Sequence, residues 1–417
     1  MHLLFVATSL PVPANNGQSI RNFSIIRALK SIGHDVSFVC FANAGSSERV
    51  RTLSEYCGSV DVLEQELPTL AISSSHLRRL ASLLALKSFS VDRFRSKAMG
   101  ALIQEKLRDQ QYDLLICDGI YALTNVPQTK VPILLNCHNI EHVILKRYAD
   151  LEPNPLKKYY ALIESYFIRA AERRSFQHAS SAMVCSQVDL ELLRELRSDL
   201  PAAVVPNVVD TDRLSPVNAS PAHSNSILFQ GGMDWYPNRD AVEFFVHRIL
   251  PRVRSKCPGA KLVVAGRNPP VEFLERFKAD SLIEFTGTFP DILPYLWAAQ
   301  VVVVPLRMGG GTRIKILEAC AAGKPIVSTS IGAEGLNLAP DKEIVLADDA
   351  EQFAAAVIAV LQDPLRADAL GKSARAAVVD RYGMPALQNG LRAVLAANEH
   401  SAEPSTKREK SETNSSH

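Results

Sequence analysis

The sequence has no stretch approaching the ~20 consecutive apolar residues that a membrane span requires. It also lacks the cysteine pattern of a disulfide framework or a zinc site. Its seven cysteines (40, 57, 117, 137, 185, 257 and 320) are odd in number and widely spaced, with no Cys-x-x-Cys pair. A reducing cytosol is the setting that fits. A basic surplus is missing too: 46 Lys and Arg stand against 44 Asp and Glu. That excludes a dedicated nucleic-acid coat and leaves room only for a local basic patch. No unit recurs at 20 to 50 residues, so a solenoid is excluded. The start, MHLLFVATSLP, has no Lys or Arg before its short apolar run, and Asn15 and Asn16 follow closely. It reads as a first buried strand rather than a signal peptide.

What is present is apolar and long. The 417 residues are 47% hydrophobic, enough for two or three domains with sizeable cores. Residues 3–7 form a buried run. Residues 11–17 carry turn formers. Phe23, Ile26, Leu29 and Ile32 recur at helical spacing with Ile25 on the same broad face, Gly33 ends the pattern, and 36–41 is a second apolar run. Strand, helix, strand points to a parallel sheet with helices on both faces. Further strands are expected at 114–117, 133–137 and 182–185, mostly near-continuous apolar runs that suit burial on both faces. After VVPNVVD (204–210) and a polar stretch at 215–226, a second series begins at 227–230, 261–265, 282–285, 301–305, 326–328 and 343–346. Helices are expected near 350–361 and 364–381. The fold class is α/β with two doubly wound domains, 1–205 and 206–380. A C-terminal helix at 381–400 packs back on the first domain, and 401–417 is a polar, disordered tail.

Residues 301–329, VVVVPLRMGGGTRIKILEACAAGKPIVST, are the most informative segment. A β-branched run leads into Gly309, Gly310 and Gly311, and a helix is expected from Thr312 to Gly323. Glycines let a backbone approach a ligand closely, and a helix start favours negative charge. Arg313 and Lys315 add positive charge, and Glu318 accepts hydrogen bonds from hydroxyls. Phosphate donors beside a hydroxyl acceptor describe a site for a nucleotide joined to a sugar, provided the glycine bend is open to a ligand. Lys315 and Glu318, three residues apart, also fit an ordinary surface ion pair.

VVPNVVDTDRLSP, FTGTFPDILPYLWAAQVVVVP and GGGTRIKILEACAAGKPIVST, in that order and spacing, resemble the retaining glycosyltransferases of family 4, which have the GT-B fold of two facing Rossmann-like domains. GGMDWYPNRDA and CHNIEH resemble a subgroup found with bacterial exopolysaccharide and exosortase loci. The resemblance implies a nucleotide-sugar donor, UDP- or GDP-linked, on the second domain, a saccharide or lipid-linked acceptor on the first, and chemistry in the cleft between them. It implies no bound metal or cofactor. Family members carry two glutamates seven residues apart. The second matches Glu318, placed on the ribose hydroxyls. The first falls at Gly310, a departure that removes a sugar-touching side chain. Many relatives also have an Arg and a Lys at the start of the second domain. Gly232 and Asn238 stand near those places, with Arg239 one position late. Arg313 and Lys315 are then expected to supply the missing charge on the diphosphate.

Further roles follow from the same resemblance. Gly17 lies in the loop by which the first domain approaches the donor phosphate; its segment NNGQSIR is not a dinucleotide fingerprint. His138, directly after a strand, falls near the transferred sugar as the candidate catalytic residue, with Asn139 and Glu141 in the same loop. His138, Glu141 and His142 do not have metal-site spacing. Gly266 and Arg267 fall where the nucleotide binds, and 330–334, including Glu334, near the pyrophosphate. Trp235 and Tyr236 either stack on the base or pack in the core. Transfer with retention implies that the leaving diphosphate gathers negative charge and can itself take the acceptor's proton. No protein base is named.

Two basic, apolar segments, 75–106 and 146–176, suit either peripheral contact with an anionic membrane or a helical face packed on the core. The expectation is therefore a cytoplasmic glycosyltransferase, peripheral on the inner face of the cytoplasmic membrane, acting in exopolysaccharide or cell-surface glycan synthesis. The alternatives are a GT-B nucleotide-sugar epimerase or hydrolase, or a non-catalytic nucleotide-sugar-binding subunit. A Rossmann oxidoreductase is disfavoured by the missing fingerprint.

Overall fold

The computed structural model describes residues 1–64, 79, 82, 85–216 and 225–402. The expected disordered tail and most of the basic stretch around 75–84 lie outside them. The polar stretch at 215–226 is described only at its two ends.

Two parallel sheets form the framework. The first has the order β3-β2-β1-β4-β5-β6-β7, with β1 His2–Ala7, β2 Asp35–Ala42, β3 Ser59–Glu64, β4 Leu114–Asp118, β5 Ile133–Asn136, β6 Ser181–Val184 and β7 Ala202–Val204. The second has the order β10-β9-β8-β11-β12-β13, with β8 Ser226–Gln230, β9 Lys261–Ala265, β10 Ile283–Phe285, β11 Val301–Val304, β12 Ile326–Ser328 and β13 Val345–Leu346. In each sheet the order reverses beside the first strand, between β1 and β4 and between β8 and β11. In doubly wound sheets ligands bind at such a reversal, beyond the carboxyl ends of the strands.

The central strands β1, β4, β8 and β11 are buried nearly throughout, as continuous apolar runs demand. The sequence reading missed β3 and β7. Both are edge strands, half-exposed along most or all of their length. An alternating strand such as SVDVLE does not give a continuous apolar run.

Helix α1 (Gly17–Ser31) opens on a reciprocal cap. The Asn16 side chain accepts from Ser19 N–H, and Ser19 Oγ accepts from Asn16 N–H, so two orphan donors are satisfied. Its end is fixed by Gly33 at φ +86°, where His34 N–H returns to Leu29 O, a turn that a side chain resists. Helices α2 (Glu141–Leu151) and α3 (Pro155–His178) pack on one another behind the carboxyl end of β5. In the second half, α4 (Tyr236–Phe244) and α5 (Ile314–Ala321) flank the glycine loops, and α6 (Pro364–Arg381) packs on α5. The last helix, α7 (Met384–Ala402), lies against α1 and β7. Its Leu387, Leu391, Val394 and Leu395 share a core with Ile25, Ile26 and Leu29.

Candidate active site

The carboxyl ends of the two sheets face one another. Asn15, before α1, accepts from Arg267 Nη1 at 3.1 Å. Asn207, beyond β7, donates to Thr312 Oγ1 at 2.7 Å. Arg147 of α2 grips Glu334 with two hydrogen bonds, 2.6 and 2.7 Å, and donates to Gly309 O at 2.7 Å. Tyr148 meets Tyr236 edge to face at 4.9 Å between ring centres. Gly17 approaches Ile314. The cleft between the halves is therefore bridged along its length.

On the first-half wall, His138 lies two residues beyond the end of β5 and its Nε2 is hydrogen-bonded to Oδ1 of Asp118, the last residue of β4. Asp118 is buried and also accepts from Gln18 Nε2 at 2.6 Å and Asn136 Nδ2 at 3.3 Å. Burial penalises its charge, but the His138 charge and hydrogen bonds from His138, Gln18 and Asn22 outweigh that and hold the carboxyl below its usual range. An ionised Asp118 fixes the proton on Nε2. Nδ1 of His138 is then an acceptor in the neutral ring and a donor only in the imidazolium. Beneath this pair lies Arg21, 1% exposed, donating to Asn136 Oδ1, Val205 O and Asn207 Oδ1. Glu141 accepts from Tyr121 Oη and Asn139 Nδ2, each at 3.2 Å. Burial and the neighbouring Glu172 raise its pKa. Glu141 thus belongs to a half-buried network rather than standing free in the cleft. Glu172 pairs with His142 Nδ1 at 2.6 Å.

On the second-half wall the glycine loops lie side by side. Gly266 packs so tightly on Gly231 O that an added Cβ would sit 1.8 Å away, so no side chain is possible there. Lys315 Nζ donates to Asn238 Oδ1 at 2.8 Å and lies 4.6 Å from the centre of the Phe229 ring. It borders Gly231, where an added Cβ would be 2.8 Å from Nζ. Burial and the charge of Arg313 lower the Lys315 pKa to about 7. Glu318, one turn further along α5, accepts from Gln230 Nε2 at 2.6 Å, and burial raises its pKa. Gln230 Oε1 is buried without a partner. An amide oxygen beside a carboxylate gives two adjacent acceptors, the chemistry that receives sugar hydroxyls.

The structure corrects several sequence expectations. The helix starts at Ile314, not Thr312, and Arg313 is its N-cap residue rather than a cation inside it. The Arg313 guanidinium turns back onto Gly310 O and Gly311 O, and desolvation lowers its pKa to about 10. Its donors brace the bend instead of facing a ligand. The Thr312 hydroxyl is taken up by Asn207. The triglycine bend is not open. Gly309 and Gly311 are buried, and a Cβ on Gly310 would lie 2.7 Å from Ile144 Cγ1 while one on Gly311 would lie 2.4 Å from His138 O. Arg239 is engaged by the loop backbone, donating to Met233 O at 2.6 Å. Glu334 is held by Arg147. Trp235 is 50% exposed, which removes core packing as its role, and Asn238 acts by holding Lys315. Asp118, Gln230 and Arg147 were missed. Asp118 and Gln230 each end a strand beside the sheet reversal, which was the available signal; Arg147 had none. Among the described residues no group of three His, Cys, Asp or Glu side chains could hold a metal ion.

Two facing parallel sheets with glycine loops at their carboxyl ends and a polar cleft between them define the GT-B class of glycosyltransferases. Two family models cover most of the chain: Glycosyltransferase Family 4 matches residues 15–213 and Glycosyl transferases group 1 matches 224–363. The chain belongs to glycosyltransferase family 4 and is a transferase. It is 23% identical over 369 residues to an uncharacterised 44.6 kDa protein in the cps region of Klebsiella pneumoniae, spanning 85% of this chain and 90% of that one. A GDP-mannose-dependent α-(1-6)-phosphatidylinositol monomannoside mannosyltransferase of Mycolicibacterium smegmatis is 32% identical over 149 residues, 32% of this chain and 39% of that one. The sucrose-phosphate synthase of Thermosynechococcus elongatus superposes with a TM-score of 0.72 at 17% identity, covering 96% of this chain and 99% of that one. Anabaena HepE in complex with UDP gives 0.65 at 14% identity, over 95% and 100%.

Proposed function

We propose that this protein transfers a sugar, with retention of anomeric configuration, from a UDP- or GDP-linked donor to a saccharide acceptor carried on a lipid, in the synthesis of an exopolysaccharide or other cell-surface glycan. The observation that carries the reading is the corner formed by Gly231, Gly232, Lys315, Glu318 and Gln230. A cation beside a glycine turn suits a diphosphate, and two acceptors one helical turn away suit ribose hydroxyls. Because the triglycine bend is roofed by the first half, the diphosphate is assigned to this corner. Lys315 stabilises the charge gathered by the leaving diphosphate. Residues 330–334 border the same cleft. Across it, the Asp118–His138 pair orients an imidazole toward the transferred sugar. Trp235 offers an exposed ring beside the corner for stacking on the base. The cps-region relative supports the glycan assignment, the mannosyltransferase relatives a GDP-linked donor and a lipid acceptor, and the UDP complexes of HepE a UDP-linked donor.

A thermal-shift screen across UDP- and GDP-sugars tests the reading. The donor at a hundred times its dissociation constant stabilises the fold by about 2.7 kcal/mol. Anomeric proton spectra of the product then report retention or inversion. No shift with any nucleotide sugar would remove the proposal, and a shift without turnover on any acceptor would turn it into a non-catalytic binding subunit.

A further inference from the structure

Six of the eleven exposed large apolar side chains among the described residues fall between 151 and 166. Four of them, Leu156, Tyr159, Ile163 and Tyr166, are 80%, 65%, 45% and 69% exposed and follow one another at steps of three, four and three along α3. That is a single stripe on the side opposite the helix's buried face, where Ala161, Ile168 and Phe176 pack. The charges are sorted in the same way. Glu164, 3% exposed, is turned inward and accepts from Ser88 Oγ at 2.7 Å and Ser90 N–H at 2.8 Å. Glu172, 1% exposed, accepts from Glu141 N–H and pairs with His142. Arg169, Arg173 and Arg174 continue the outer face and are exposed, as is Lys157 at its start. The outer face of α3 is thus apolar and aromatic for its first three turns, basic thereafter, and free of acidic side chains.

We propose that this face is the surface by which the protein docks on an anionic lipid bilayer. Interfacial helices bury a stripe of aliphatic and aromatic side chains at the headgroup level and set basic residues against anionic lipid. Tyrosines, apolar in the ring and polar at the tip, suit that depth. A second copy of the chain is a poorer occupant, because the same face on that copy offers the arginines no acidic partner: both glutamates of α3 are buried. Position strengthens the inference. The helix packs on α2, and α2 supplies Ile144 and Arg147 to the cleft. A bilayer against α3 therefore lies behind the first-half wall, where an acceptor carried on a lipid reaches the site from its membrane. This rests on the lipid-linked acceptor proposed above.

The test is co-flotation of the full chain with vesicles of phosphatidylglycerol and phosphatidylcholine, and with phosphatidylcholine alone. Binding to the mixed vesicles at low salt, weakened at high salt, is expected. The double substitution Tyr159→Ser with Tyr166→Ser should lower the partition coefficient about tenfold, and so should Arg169→Gln with Arg173→Gln and Arg174→Gln. Unaltered partition in both variants, or loss of self-association instead of vesicle binding, would overturn the proposal. Thermal unfolding with and without donor is recorded on the same samples. Vesicle binding without any donor shift keeps the docking surface and removes the catalytic reading; a donor shift without vesicle binding does the reverse.

Discussion

Lys315 carries a charge that changes near neutral pH. Burial and Arg313 depress its pKa to about 7, with Glu318 opposing them. Below that pH it is an ammonium able to hold a diphosphate; above it the ammonium loses its proton. Donor affinity should therefore fall as pH rises through about 7, and calorimetry between pH 6 and 9 measures it. Lys315→Ala should abolish the pH dependence and raise the dissociation constant by about one to two decades, the worth of a charge-assisted bond of roughly 1.5–3 kcal/mol. The same slope in the variant would assign the titration elsewhere. Asp118 makes a second expectation. Asp118→Asn leaves the His138 ring without its ionised partner, so turnover should drop about ten- to a hundredfold with donor affinity unchanged. Its lowered carboxyl pKa also adds stability that is present above the unfolded value and is lost as pH falls through the folded one. An unfolding midpoint in Asp118→Asn that tracks acid pH as the parent does would argue against that share. The positions of Glu318, on the helix after the glycine run, and of His138, just beyond a strand end, were legible from the sequence because each stands at a fixed offset from those features. The orientation of Arg313 was not legible, since whether its guanidinium reaches out or folds back is decided by carbonyls that only the loop geometry presents.

At the scale of elements, the loop after β5 and the bend after β11 fit as a pair. Gly310 stands where the family resemblance implies a glutamate, and Ile144 of α2 occupies the space that any side chain there would need. Gly310→Glu should destabilise the protein by about 1–3 kcal/mol, the usual cost of overpacking, and Ile144→Ala added to it should recover part of the loss. Chemical denaturation of the single and double variants checks this; additive losses would show that the two positions do not compete. The buried strands were readable because both faces demand apolar residues, and α6 was readable to its ends. Strands β3 and β7 were not, since an edge strand tolerates polar residues on its open side. The expected return of the C-terminal helix to the first half is found in α7 against α1 and β7; which apolar stripes meet there is not fixed by periodicity alone.

At the scale of the molecule, the two halves are held by Arg147 and Glu334 in two-pronged geometry, both largely shielded from solvent. Removing that clamp should let the cleft open. Arg147→Ala is expected to enlarge the radius of gyration in small-angle scattering, and the charge swap Arg147→Glu with Glu334→Arg to restore it. No change in Arg147→Ala would mean that other contacts, such as Asn207 to Thr312, suffice to keep the halves together.

The most direct test of the donor site is a crystal structure with a bound nucleoside-diphosphate sugar. The account predicts the diphosphate within hydrogen-bonding reach of Lys315 Nζ and the Gly231–Gly232 backbone, with ribose hydroxyls on Glu318 and Gln230. A ligand bound outside the cleft, or one that leaves Lys315 and Glu318 untouched, would contradict it.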